Sequence, residues 1–267
     1  MGFKIIIVLI LTFIINIVAT LAYSVRIVGV KTGRIAVASA VFSLLTLVSR
    51  TANSFQAPLL TKKIEVSIEN GQVGEMLYIF RWILVVSTIA TIFGAFLMPT
   101  FIKLFTKAVE SFSTHRSMPR LMLHAFSKSG IEQFKSNITI PSRQTISHIK
   151  SFKKVPKKLI LLNTAACSLL TVGVLASTYA GCLSPSLRTT CVTLSSIVNG
   201  IATIAMAMFV DPYLSIMTDD VITGKCSEEE FKRCIFFIIG GFIAGTAFSQ
   251  VLLVPAAKVI LFVAQLI

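Results

Sequence analysis

Of the 267 residues, 55% are hydrophobic and 13% charged, and the formal charge is +14. Soluble domains carry charge on about a quarter of their residues, so this composition excludes an ordinary globular domain. The apolar residues are gathered in blocks long enough to cross a bilayer, and no Gly/Ser or Pro linker divides them. The expected fold is all-α, a single transmembrane domain over residues 1–267.

The first block is 5–25, IIIVLILTFIINIVATLAYSV. Lys4 ahead of an apolar core has the look of a signal peptide. The core is too long, however, and no small-residue cleavage site closes it, so it reads as a span. Asn16, Thr20 and Tyr23 mark one side of this helix. A short turn at 26–34 carries Arg26, Lys31 and Arg34.

The second block is 35–50, extendable towards Leu60. It contains LLTLVSRTANSFQAP (44–58), where an apolar run stops at Arg50. With a helix starting near Arg34, Arg50 stands roughly 24 Å along it, deep in a core about 30 Å thick. Ser43, Thr46, Ser49 and Asn53 share its side at spacings of three and four. Arg50 therefore either snorkels to headgroups or faces a wet cavity, and a polar stripe fits a cavity better than lipid.

A mixed-charge loop is expected at 61–81. The third block, 82–102, opens at Trp82 and carries Pro99. Beyond it, residues 103–158 are rich in Lys and Arg, with Glu110 and Glu132 as their only acids. Phe101, Leu104, Phe105, Val109 and Phe112 approximate helical spacing, so the third span is expected to continue as an amphipathic helix. Residues 120–135 repeat the pattern with Leu123, Phe126, Ile131 and Phe134, which suits an interfacial anchor.

The fourth block is 159–181 and the fifth 190–210, closed by Asp211-Pro212 on the basic side and followed by a loop to 233. The sixth starts near Cys234 and stays apolar to Ile267. A crossing to about Leu253 is expected, then a short second helix or a tilted continuation after Pro255. Asn199, Thr203 and Gln250 are polar marks on these spans. Gly241 and Gly245 make a small-x-x-x-small pattern, which by default means close helix packing. Cys182 and Cys191 flank a short turn. A disulfide fits an oxidising compartment, and two free thiols are the favoured alternative.

Basic residues collect on the cytoplasmic side of membrane proteins. That places 103–158, 26–34 and 211–233 inside and both termini outside. The basic belt points to anionic lipid headgroups as partners. Nucleic acid is set aside, because neither a basic fold nor stacking aromatics accompany the charge.

Enzyme chemistry finds little footing. H-E-x-x-H, G-x-S-x-G and the phosphate-binding G-x-x-x-x-G-K-[ST] are all missing. His115, His124 and His148 have no metal-ligand spacing, and Asp219-Asp220 lacks spaced partners. No cofactor or metal is expected. Polar residues inside a bundle without a catalytic constellation point to a transporter or lipid translocator.

Four stretches then carry a resemblance in chain order: LAYSVRIVGVKTGRIAVA (21–38), LVSRTANSFQAPLL (47–60), FVDPYLSIMTDD (209–220) and GTAFSQVLLVPAAK (245–258). They resemble the Amj family of bacterial lipid II flippases, alternates to the MurJ flippases. The resemblance implies a polytopic inner-membrane protein. It would move the lipid-linked peptidoglycan precursor from the inner to the outer leaflet. The family's pattern often carries an acidic residue where this chain has Ala19.

Lipid II bears a diphosphate, and the planar fork of arginine binds phosphate oxygens in pairs. On that implied substrate, Arg26 and Arg34 would receive the diphosphate at the cytoplasmic mouth. Arg50, with Asn53 beside it, would hold it in passage, and Lys258 and Lys62 would stand near the exit. Asn16, Tyr23, Asn199, Asp211 and Gln250 would line a polar cavity. Three helices per half and similar turn lengths admit an inverted 3+3 repeat. Without a nucleotide site or a carboxylate near the middle of a span, transport is expected to be a uniport assisted by the membrane potential. A homodimer is left open. The rivals are a carrier for another polyprenyl phosphate lipid, a non-transporting scaffold, and an enzyme acting on polyprenyl lipids.

Overall fold

The computed structural model describes residues 3–69, 73–115 and 156–267. Among these there is no strand. α1 is Phe3–Thr32, α2 Ile35–Glu69, α3 Val73–His115 and α4 Lys157–Leu183. A fifth rod, Pro185–Ile222, is segmented. It consists of a 3-10 turn, α5 (Arg188–Thr193), α6 (Ser195–Ala205), a π-helical stretch (Met206–Val210) and α7 (Asp211–Ile222). The chain ends in α8, Glu228–Leu266. The six rods are long and apolar enough to span a membrane, so the protein is an all-α polytopic membrane protein.

Several boundaries differ from the sequence expectation. α2 does not stop at Arg50 or Leu60 but runs through Pro58 to Glu69, and α3 already begins at Val73. Most of the loop expected at 61–81 is therefore helix. The stretch 51–57 does not end α2, and its Gln56 turns inward to α1. The Gln56 amide donates to the Val8 carbonyl at 3.4 Å and to the Thr12 hydroxyl. Leu60 and Ile64 then bury on the next turns.

Asp211-Pro212 does not end the fifth rod either. Pro212 cannot bond back to the carbonyl four residues earlier and would crowd it. The widened π-helical turn before it accommodates that defect, and the helix continues to Ile222. Of the two alternatives after Leu253, the chain takes the continuous one. Pro255 is exposed, while Leu253, Ala257, Ile260 and Ala264 form one buried stripe that carries α8 past it. α3 likewise passes Pro99, reaching His115 as the continuation predicts. The expected helix at 120–135, His124 and His148 lie outside the described residues, as does the Phe112 side chain.

Local signals set two of the remaining ends. Gly33, at φ 67°, takes the left-handed conformation that closes α1 and turns the chain into α2. Ser227 and Glu230 form a reciprocal capping box at the start of α8, each bond 3.2 Å long.

Packing repeats between the halves. The first and third rods of each half lie against each other, α1 on α3 and α4 on α8. The middle rod packs on the first, α2 on α1 and the fifth rod on α4. Close approach depends on glycine in both halves. A Cβ at Gly94 of α3 would stand 2.9 Å from Thr20 Cβ of α1. One at Gly245 of α8 would stand 2.7 Å from the Thr164 carbonyl oxygen of α4. Asn163 of α4, fully buried, donates its amide to the Ile238 carbonyl of α8 at 2.8 Å.

The halves meet mainly along α3 and α8. One core cluster joins them at the end holding both chain termini, where Ile5 and Val8 share a core with Met76, Leu175, Ile260 and Ala264. A second joins them at the opposite, turn end through Ile27, Met98, Leu214, Phe231 and Ile238. Between α2 and the fifth rod, by contrast, no extensive helix contact forms among the described residues.

A polar cleft between the two halves

The gap left between the halves holds a cleft of about 660 Å³. Thr12, Asn16, Ala19 and Tyr23 supply its wall from α1. Phe42, Thr46, Ser49, Asn53 and Gln56 supply it from α2. Cys167 and Thr171 face it from α4, and Asn199, Thr203, Met206 and Asp211 from the fifth rod.

The α1–α2–α3 wall is tied together internally. Asn16 Nδ2 donates to the Thr12 carbonyl at 2.8 Å and to Ser87 Oγ at 3.3 Å, and Ser87 donates to Ile83 O at 3.0 Å. Ser49 Oγ reaches across to Ile15 O at 3.1 Å. The two bonds that cross helices, Asn16 to Ser87 and Ser49 to Ile15, fix the wall's shape with its polar groups turned inward. Opposite, Asn199 Oδ1 is buried without a hydrogen-bond partner among the described residues. It lies so close to Gly173 that a Cβ there would overlap it.

A second chamber of about 320 Å³ lies towards the turn end, lined by Ser39 and Ser43 of α2 and by Ser215, Thr218 and Asp219 of α7. Phe42 and Asp211 belong to both chambers. Between the chambers Arg26 Nη2 bonds Asp211 Oδ1 at 2.7 Å. The guanidinium carbon sits 4.4 Å above the Phe42 ring, and Tyr23 packs edge-on to the same ring at 6.0 Å. At the other end of the α2–fifth-rod gap, Arg188 pairs with Glu65 of α2.

Asn16, Tyr23, Asn53, Asn199 and Asp211, anticipated from sequence, thus come together on the main cleft. Arg26 lines the smaller chamber. Three others stand elsewhere. Arg34 Nη1 donates to the α3 carbonyls of Val109 at 3.3 Å and Glu110 at 3.1 Å. Gln250 Nε2 donates to Arg81 O at 2.8 Å and so ties α8 to α3. Lys258 is exposed and lines neither chamber. The Arg50 backbone is within α2, and its side chain lies outside the described residues. Asp211 stands within the fifth rod rather than at its end, so a carboxylate does reach the cleft.

Thr12, Gln56, Ser87 and Thr171 also line the cleft, although sequence reasoning did not select them. Thr12 is one helical turn before Asn16 and Gln56 is three residues past Asn53. Extending both polar stripes by one turn finds them. Cys182 and Cys191 are free thiols, both buried in the core at the terminal end.

Comparison with known proteins adds two findings. The model of the family described as Amj, alternate to MurJ, matches residues 11–264. The chain is also 36% identical over 249 residues to a protein of Bacillus subtilis (strain 168) named lipid II flippase Amj. That alignment covers 91% of this chain and 90% of the relative. No solved structure matches.

Proposed function

The chain belongs to the Amj family, the alternates to MurJ, and from that premise we propose that it translocates lipid II from the inner to the outer leaflet of the cytoplasmic membrane. The observation that carries this reading is the unclosed gap between α2 and the fifth rod. Its inner wall is polar, with Asn53 and Asn199 on the cleft. Its outer margins are apolar, with Phe55, Ile197, Ile201 and Ile204 exposed. A lipid with a large polar head and a long tail matches both surfaces at once. The head passes through the cleft while the tail stays in the bilayer.

Arg26, Arg50 and Asn53 are assigned to the diphosphate and sugar head. Arg34 and Lys258 lie outside both chambers and would meet the head only at the two mouths. The termini are assigned to the outside and 103–158 to the cytoplasm, because basic residues favour that side. Anionic lipids would then neutralise the basic belt. One chain forms both chambers.

The test is depletion in cells lacking other lipid II flippases, followed by measurement of lipid II exposed on the outer leaflet. Loss of exposed lipid II on depletion supports the reading. An unchanged amount, with substitutions of cleft residues all silent, would return the protein to the class of membrane scaffolds.

A further inference from the structure

Two arginine–carboxylate pairs stand at opposite ends of the α2–fifth-rod gap. At the turn end, Arg26 of α1 meets Asp211 of the fifth rod. At the terminal end, Arg188 of the fifth rod meets Glu65 of α2. Each pair joins the two halves across the gap. The first joins the first rod of one half to the second rod of the other, and the second joins the two second rods.

The burial of the partners is uneven, and in the same sense twice. The Arg26 side chain is 16% exposed and Asp211 44%; Arg188 is 26% exposed and Glu65 47%. Breaking either pair leaves a carboxylate that water can solvate and an arginine that it solvates poorly. An uncompensated, partly buried charge is costly. The arginine therefore gives up its carboxylate more readily to another anion than to water. Arg26 also has donor capacity in reserve, since its buried Nε has no hydrogen-bond partner among the described residues. A diphosphate offers several oxygens to such a fork.

We propose that these two pairs are the gates of the translocation path, and that each opens when the diphosphate of a polyprenyl lipid takes the arginine from its carboxylate. Arg26–Asp211, seated on Phe42, closes the passage between the small chamber and the main cleft. Arg188–Glu65 closes the far end of the gap. The carboxylates are resting counter-ions, and re-pairing behind the departing anion shuts the gate. No coupling cation is needed to free the arginine. The inference rests on the flippase reading for the identity of the lipid, but the gates are testable without it.

Thr46 lines the main cleft and is part-exposed, so every chain compared carries Thr46→Cys as a reporter of access. A charged methanethiosulfonate cannot enter through lipid and must pass a gate. Its rate of attachment at the introduced thiol is followed by peptide mass spectrometry, which separates it from the five native cysteines. The full chain is compared in intact cells and in inverted membrane vesicles. Asp211→Asn should speed labelling in one preparation and Glu65→Gln in the other, each by about fivefold, the shift that loss of a partly exposed ion pair gives. Arg26→Asp combined with Asp211→Arg should restore the slow rate, which a merely misfolded variant would not do. Undecaprenyl diphosphate should speed labelling of the unaltered protein and not of Arg26→Gln.

Equal labelling in the unaltered protein and both single variants would overturn the gates, as would a reversed pair that stays fast. The preparation in which Asp211→Asn acts identifies the turn end's side, and either side supports the gates. Lipid II exposure measured on the same cells reports separately on the substrate. Gated labelling with no lipid II phenotype would move the protein to another polyprenyl diphosphate.

Discussion

Asn163 of α4 donates its side-chain amide to the backbone carbonyl of Ile238 in α8, 2.8 Å away and wholly buried. Two turns further along α8, Gly245 lets it touch the α4 backbone at Thr164. Lipid gives no hydrophobic force between helices, so contact and hydrogen bonding must hold this half together.

Substitution of Gly245 by Leu is expected to force α4 and α8 apart. Overpacking of a tight contact costs about 1–3 kcal/mol, and Asn163→Leu about 1 kcal/mol through the lost interhelical bond. Thermal unfolding in detergent, followed by loss of monodisperse protein, checks both. An unaltered midpoint for Gly245→Leu would mean that the helices are not in register as described.

Asn53 should behave in the opposite way. It is exposed and faces the cleft rather than a neighbouring helix. Asn53→Leu should leave stability within about 0.5 kcal/mol and still depress lipid II export. Export is read in cells that depend on this protein, alongside its abundance in the membrane. Normal export at normal abundance would remove Asn53 from the headgroup path.

Arg50→Ala is expected to abolish export while the protein inserts and accumulates, and Arg50→Lys to be partly defective. Lysine keeps the charge but not the fork that meets two phosphate oxygens. Normal growth of a dependent strain carrying Arg50→Ala would reduce Arg50 to a snorkelling anchor.

The energy source can be read in liposomes. With a negative interior, an anion moving outward gains about 2.3 kcal/mol per charge for each 100 mV. Transport assayed by headgroup accessibility should slow when the potential is collapsed with potassium and valinomycin. Indifference to the potential, together with dependence on a proton or sodium gradient, would argue for cation coupling. Asp211, which the structure places on the cleft, would then be the group to examine.

The six spans, the glycine contact of α8 and much of the cleft wall were legible as sequence. Long apolar runs admit few structures in a bilayer, and polar residues at helical spacing within them have to face one another or water. The rest depended on partners far away in the chain. Ser49 and Gln56 belong to a stretch that reads as the end of a span. They are helical because α1 carbonyls and Thr12 accept their hydrogen bonds. Arg34 has the composition of a phosphate ligand, yet its guanidinium is held by two carbonyls of α3 some 75 residues on. Asp211 was visible, but Pro212 beside it suggested an end, because a π-helical turn has no sequence signature of its own. Neither ion pair across the gap was foreseeable, since each partner is equally at home as a solvated mouth residue.

The gap between α2 and the fifth rod has one more consequence. Its apolar margins open onto the bilayer, so the surrounding acyl chains act as the far wall. A wall of that kind has no fixed depth. Nothing along it can measure how many isoprene units a tail contains, whereas an enclosed hydrocarbon tunnel would impose a ruler. Selectivity must then be exercised on the head alone. Carriers with shortened tails should compete with the full-length lipid on equal terms, provided that they still partition into the membrane.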